Sequence, residues 1–446
     1  EIKSATASEF MAVTANPHAS AAAEQILARG GTAVDAAIAA QLILGLVEPQ
    51  SSGIGGGAFM LSYRADQEEL YFYDGRETAP MAVDENYFIR DGKPRGFFDA
   101  VIGGNSVGVP GVMRMMELAH ERDGKLPWKD LFQPAIVLAE QGFEVSPRLR
   151  ELLVRMPRVA VRPAIRDYFF DADGEPLAIG YLLKNPDYAA TLRILAEQGT
   201  KPFYQGEIAA AIVDAVRNDP ENPGVMTRKD MADYKAKVRE PVCSAFLVYR
   251  VCGAAAPSSG GTTVGAILGM LQHTPIKDFE VGSAELTHLF VEASELAFAD
   301  RNTYSADSDF VEVPTNAMVA PHYLAQRAKL INLKTAQPAR PGTPGEFSSA
   351  RIKAKSPEMP NTSHLSIMDK YGNGVSMTTS IETGFGSRLL VKGFLLNNQL
   401  TDFSFVPTNA EKELVANRVQ PGKRPRSSMS PTIVFNKDGS LRLLVG

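Results

Sequence analysis

Residues 361–387 read NTSHLSIMDKYGNGVSMTTSIETGFGS. The run His364 to Met368 carries β-favouring residues, and Asp369-Lys370-Tyr371-Gly372-Asn373-Gly374 is rich in turn formers. Val375 to Ile381 then predicts a returning strand. Gly393 to Asn397 and Thr432 to Phe435 predict further strands, the second closing on the turn signal Asn436-Lys437-Asp438-Gly439. This end of the chain is therefore a block of antiparallel strands.

Immediately upstream the composition changes. From Asn332 to Asn361 the chain reads NLKTAQPARPGTPGEFSSARIKAKSPEMPN, with five prolines and several Lys and Arg. Proline removes a backbone donor and cannot sit inside a helix or a central strand, so 332–361 is expected to be a mobile, solvated linker. Earlier still, Ala19 to Leu46 predicts two helices separated at Gly30-Gly31, with Ala33 to Val47 apolar enough to be a buried helix. Phe59 to Tyr63 and Leu70 to Tyr73 predict a strand pair. Gly111 to Met231 is mostly helical in pattern, as is Leu286 to Ala299. Helices first, then a linker, then strands points to helices layered on sheet, an α+β fold.

The 446 residues carry 46 Lys+Arg against 51 Asp+Glu, for a net charge of -5, with 44% hydrophobic and 22% charged side chains. Mild acidity argues against a nucleic-acid partner, which would call for a basic face. The longest apolar run, Ala33 to Val47, is too short and too interrupted to span a membrane. The two cysteines, Cys243 and Cys252, would face each other if the chain turns at Leu247-Val248. They are then either a cross-strand disulfide or two small buried side chains.

Two motif matches fail on context. Gly53 to Ala58 fits G-x-G-x-x-A, but the dinucleotide fingerprint needs a strand before the glycines and a helix after them. Here the order is reversed, and close packing of backbones explains the glycines better. Gly104 to Gly108 fits G-x-S-x-G around Ser106, with Phe97 to Ile102 as a candidate strand before it. The Gly108, Pro110 and Gly111 that follow suit a nucleophile elbow poorly. The six histidines show no triad or metal-ligand spacing.

The seam at Asn361-Thr362 carries more chemistry. Were the backbone cut there, Thr362 would own a hydroxyl nucleophile and a free α-amine with an unperturbed pKa of about 8. One residue would supply nucleophile and general base together. By pattern alone, an ordinary strand-initiating threonine is the better reading.

Longer strings decide the matter. GGTAVDAAIAAQLILGLVEPQSSGIGGGAFML (30–61), DGRETAP (74–80), SVGVPG (106–111) and APSSGG (256–261) precede the linker. NTSHLSIMDKYGNGVSMTTSIETGFGS (361–387), LLNNQLTDFS (395–404) and KRPRSSMSPTIV (423–434) follow it. In this order they resemble the γ-glutamyltransferase family, autoprocessed N-terminal-nucleophile hydrolases, from about Met11 to Gly446. The resemblance implies a four-layer α-β-β-α sandwich and a precursor that cuts itself between Asn361 and Thr362. Residues 1–361 would then form a large subunit and 362–446 the start of a small one, the two sharing one structural domain.

It also implies roles. Thr362 would attack the γ-amide of glutathione or a similar γ-glutamyl donor, and water or an amino-acid or peptide acceptor would release the acyl group. Ser380 stands where the family has a supporting threonine hydroxyl, without the β-branch that restricts χ1. Arg76, Ser427 and Ser428 match the binders of the donor α-carboxylate, and Glu382, Gln399 and Asp402 those of its α-ammonium. No cofactor is expected, and export to the periplasm or beyond is. Cephalosporin acylases of the same family, acting on glutaryl groups, are the alternative; an uncleaved non-catalytic homologue is a rival of another class. Phe403 to Arg426, the family's lid region, contains no Tyr, so a more open or differently covered site is expected. Family members continue past the position of Gly446 with a Gly-Gly pair that forms the oxyanion hole. These 446 residues are thus expected to lack donors whose loss typically costs about 10²–10³-fold in rate.

Overall fold

A computed structural model describes residues 4–156, 158–345, 361–409 and 411–446. Among them, ten strands build two larger antiparallel sheets: β1 (Met11–Thr14), β2 (Gly57–Arg64), β3 (Glu69–Gly75), β4 (Lys237–Arg239), β5 (Val242–Phe246), β6 (Tyr249–Gly253), β7 (Ser363–Met368), β8 (Gly374–Ser380), β9 (Thr432–Phe435) and β10 (Leu441–Val445). The first sheet runs β1-β7-β8-β2-β3-β4 and the second β10-β9-β6-β5. The predicted hairpin is therefore not a separate block. It is inserted between β1 and β2, so strands from both sides of the Asn361-Thr362 bond share one sheet. Register pairs Ser363 with Thr379 and Ser380 with Gly57.

The helix α1 spans Pro17–Ala28, and α2 spans Ala33–Val47 as predicted. Every residue of α2 is buried, including Asp35 and Gln41, which is what an all-round apolar helix requires. Thr32 and Asp35 form a reciprocal capping box at its start, and Asp35 also accepts from the backbone N–H of Lys125 and Leu126. Helix α2 packs on β7 and β8. Phe59, Leu61, Tyr63 and Phe72 of the first sheet form one cluster with Cys252, Ile433 and Phe435 of the second. On the second sheet, α3 (Gly260–Leu271) contacts β5 and β6 and is in turn contacted by α4 (Ala284–Tyr304) and α5 (Pro321–Ala328). The chain thus mixes helix and strand, as the α+β expectation has it.

The glycines that mimicked a nucleotide motif serve close backbone approach. A Cβ on Gly55 would lie 2.2 Å from the Leu395 carbonyl oxygen, and one on Gly56 2.2 Å from that of Ser380. The serine-hydrolase reading fails outright. Phe97–Ala100 is helical rather than a strand, and Ser106 is buried in a tight turn with its hydroxyl committed to the carbonyls of Val101 and Gly103. The predicted strand at Gly393 to Asn397 shrinks to Phe394–Leu395, paired only with Leu390–Val391.

Of the linker, residues 332–345 carry no helix or strand but are tied to the fold. Gly342 donates its N–H to Asp300 (2.7 Å) and accepts from the Tyr304 hydroxyl, while Gln337 N–H reaches Glu292. This part is an exposed strap lashed to α4, because its backbone groups find side-chain partners there. Residues 346–360 lie outside the described residues. Among the described residues, no helix is long and apolar enough to cross a membrane.

Cys243 and Cys252 sit directly opposite each other across β5 and β6 and are disulfide-bonded. Closing so short a loop stabilises by about 2–3 kcal/mol in the chain-entropy account. The double variant Cys243→Ala/Cys252→Ala should lower the urea midpoint accordingly, and reductant should bring the wild type down to the same value. Equal midpoints with and without reductant would show that the bond adds nothing.

Candidate active site

Thr362 is exposed and leads directly into β7, and Ser380 closes β8 beside it. Both open onto a cavity of about 350 Å³. Its wall contains all nine residues singled out in the sequence: Arg76, Asn361, Thr362, Ser380, Glu382, Gln399, Asp402, Ser427 and Ser428. These come from five separate stretches of chain. The Ser380 hydroxyl donates to the Asn361 carbonyl oxygen at 3.2 Å while accepting from Glu382 N–H at 2.8 Å. The Asn361 side chain is held by the Ser51 hydroxyl and the Gln50 carbonyl.

One wall is charged. Arg76 is buried, and its guanidinium donates to Asp402 and to the carbonyls of Pro425 (3.2 Å) and Arg426 (2.9 Å). Gln399 reaches the same Asp402 oxygen at 3.4 Å. One carboxylate oxygen of Glu382 accepts from Thr383 N–H (2.6 Å) and from the Asn398 amide; the other has no hydrogen-bond partner. Burial pushes the Glu382 carboxyl well above the usual range, and the nearby Asp402 charge adds to the effect. A cation, two carboxyls and several hydroxyls around so small a space suit a zwitterionic head group.

A family model described as gamma-glutamyltranspeptidase matches residues 19–446. The chain belongs to the gamma-glutamyltranspeptidase family. A glutathione hydrolase proenzyme of Bacillus subtilis (strain 168) is 37% identical over 438 residues, covering 96% of this chain and 73% of the relative. Among solved structures, a cephalosporin acylase from Bacillus halodurans aligns with TM-score 0.82 at 27% identity, over 98% of this chain and 76% of that one. Helicobacter pylori gamma-glutamyltranspeptidase aligns with TM-score 0.73 at 31% identity, over 78% of this chain and 100% of that one.

In this gamma-glutamyltranspeptidase-family chain the cavity also contains residues that motif reading passed over. Thr378 lies two positions before Ser380, hence on the same strand face, a signal the period-2 rule could have used. Arg426, Met429 and Ser430 flank the serine pair. Of the described residues in 403–426, only Arg426 lines the cavity. Behind the wall, Asn397 has its amide fully engaged: it donates to the carbonyls of Gly55 (2.8 Å) and Gly108 (2.9 Å) and accepts from the N–H groups of Gly108 and Gln399. Arg301 donates to the Ser428 hydroxyl (2.6 Å) and to Ser259 (3.0 Å), whose hydroxyl holds the Ser427 carbonyl.

Glu77 is fully buried beside Arg76, 3.8 Å from a guanidinium nitrogen, and neither of its carboxyl oxygens is hydrogen-bonded. Burial raises it to about 8 despite the opposing pull of Arg76. The folded chain therefore keeps a proton that the unfolded chain releases above pH 4.5. This contribution is present in full below pH 4.5 and is lost as pH rises through about 8. Urea titrations from pH 4.5 to 9 should show Glu77→Gln matching wild type at the acid end and exceeding it at the alkaline end. An unchanged pH slope would assign the buried proton elsewhere.

Proposed function

We propose that the chain is the precursor of an autoprocessed γ-glutamyltransferase/hydrolase with Thr362 as nucleophile. What supports this above all is the cavity just described, where a hydroxyl residue, a scissile carbonyl already receiving a hydrogen bond, and a zwitterion-binding wall meet. In the processing step the Thr362 oxygen adds to the Asn361 carbonyl carbon. Negative charge grows on the carbonyl oxygen, where the Ser380 hydroxyl donates. Breaking the C–N bond, with the hydroxyl proton passing to the departing nitrogen, leaves an ester on Thr362 and a free amine, and water then hydrolyses the ester to an Asn361 carboxylate and the Thr362 hydroxyl.

In the processed enzyme the free α-amine, with a pKa of about 8 in water, takes the proton of its own hydroxyl as that oxygen attacks the donor's γ-amide. The amine or amino acid leaves, and a γ-glutamyl-Thr362 ester remains. Water or an acceptor amine then resolves it. Arg76 with Ser427 and Ser428 would take the donor α-carboxylate, and Glu382, Gln399 and Asp402 its α-ammonium. The nucleophile, its base and the groups that take the donor's two charges are all side chains or termini of the chain, so the reading invokes no cofactor. We read the contacts of α1 and α2 with the first sheet, of the sheets with each other and of α3 with the second sheet as a four-layer α-β-β-α sandwich. The disulfide supports an oxidising location, the periplasm or outside the cell.

The likeness to a cephalosporin acylase favours a glutaryl donor as the second reading. Glutaryl has no α-amine. Asp402 would keep Arg76 as its cation, but the unpartnered oxygen of the buried Glu382 would find no donor in such a substrate, which favours γ-glutamyl donors.

Denaturing electrophoresis and kinetics with paired donors test these statements. Wild-type protein should resolve into two bands with a new N-terminus at Thr362, and Thr362→Ala should remain one band. Ser380→Ala should slow the cut by about 10²-fold, the loss typical of one oxyanion donor. γ-Glutamyl-p-nitroanilide should be turned over far better than glutaryl-p-nitroanilide. An intact, non-catalytic wild-type chain would instead favour the scaffold reading.

A further inference from the structure

Arg388 is buried on the loop that follows β8, outside the cavity. The loop is held in an uncommon shape, with the non-glycine residues Glu382, Phe385 and Arg388 at φ of 78°, 65° and 63°. The Arg388 guanidinium donates to the Thr383 hydroxyl at 3.1 Å and to the Gly386 carbonyl. The Thr383 oxygen lies 3.3 Å from the Asn398 Oδ1, and the Asn398 amide nitrogen donates to Glu382.

The direction of this chain follows from its first member. An arginine can only donate. Its hydrogen bond occupies a lone pair on the Thr383 oxygen, so the threonine's single proton is turned to Asn398 Oδ1. Together with the Thr383 backbone N–H, which donates to the same Oδ1 at 3.1 Å, it fixes the amide orientation and aims the Asn398 N–H at the carboxylate. Each link polarises the next toward the charged end. The result is a row of donors feeding one oxygen of Glu382, while its other oxygen stays unpartnered.

We infer that Arg388 is a positioning residue that orients Glu382 through Thr383 and Asn398 and so makes the site select donors bearing an α-ammonium. The inference rests on the functional reading above and names what enforces its donor preference. The charged groups acting on Glu382 are Asp402, which is tied to Arg76, and Arg388 itself. Burial lowers Arg388 only to about 10, so it remains a cation at neutral pH. Its charge opposes the burial and the Asp402 field that favour a protonated Glu382.

The test compares the processed wild type with Arg388→Met and Arg388→Lys on γ-glutamyl-p-nitroanilide and glutaryl-p-nitroanilide. For Arg388→Met, KM for the γ-glutamyl donor should rise about tenfold or more, the loss expected of hydrogen bonding to a charged group. Its kcat/KM for the glutaryl donor should stay within about twofold of wild type. Arg388→Lys should recover part of the lost selectivity. Thr383→Val, which cuts the same chain at its second link, should reproduce the pattern if Arg388→Met does not fold. A parallel fall on both donors, or no change on either, overturns the inference. A wild type that prefers the glutaryl donor overturns the functional reading instead.

Discussion

The pairing of β7 with β8 inside the six-stranded sheet is the constraint on which the rest depends. Antiparallel register sets Ser363 against Thr379, which brings the residue before β7 to the level of the residue that ends β8. The hairpin is held on both flanks, since β1 pairs with β7 from Leu365 to Met368 and β2 pairs with β8 as far as Ser380, opposite Gly57. Both faces of β8 are buried, so a one-residue slip would exchange its two sets of packed side chains and separate the two hydroxyls. Helix α2 removes that freedom, because its wholly buried surface has nowhere else to pack.

Around this pair, three stretches distant in sequence are pinned by one amide. Asn397 reaches the glycine loop before β2, the backbone at Gly108 and the turn that bears Gln399 and Asp402. All four of its hydrogen-bonding positions are used, and losing any would leave a buried polar group unpaired. The glycines matter for the same reason. At 2.2 Å from a carbonyl oxygen, no Cβ at Gly55 or Gly56 could be accommodated without moving the strand ends that carry the site.

Charge is the second problem that the fold has to solve. Arg76, Glu77, Glu382 and Asp402 are gathered where water is scarce, and burial alone would neutralise carboxyls. Arg76 is countered directly by Asp402, while Glu77 takes up a proton. Glu382 depends on the donors behind it. The wall therefore presents groups of both signs, and its supporting residues sit one layer back, where motifs do not reach.

Much of this was legible in the chain itself. The bounds of α2 could be read because a long, largely apolar run, interrupted at Asp35 and Gln41, has a single stable use as a buried helix. The hairpins β2–β3 and β7–β8 followed from short β-favouring runs, while a turn at Leu247-Val248 set the two cysteines opposite each other with both bonded and merely packed readings open. The nine cavity residues were found through strings that resemble a known family, not through periodicity. Other features were decided only in three dimensions. That β7 and β8 enter the middle of a sheet begun at Met11, far upstream of Ser363, depends on long-range pairing, which no local pattern encodes. The tethering of 332–345 needed the positions of Asp300 and Tyr304, and the chain from Arg388 to Glu382 needed the left-handed loop that folds it back. Local propensity and side-chain chemistry write the elements; which buried polar group meets which is settled only when those elements pack together.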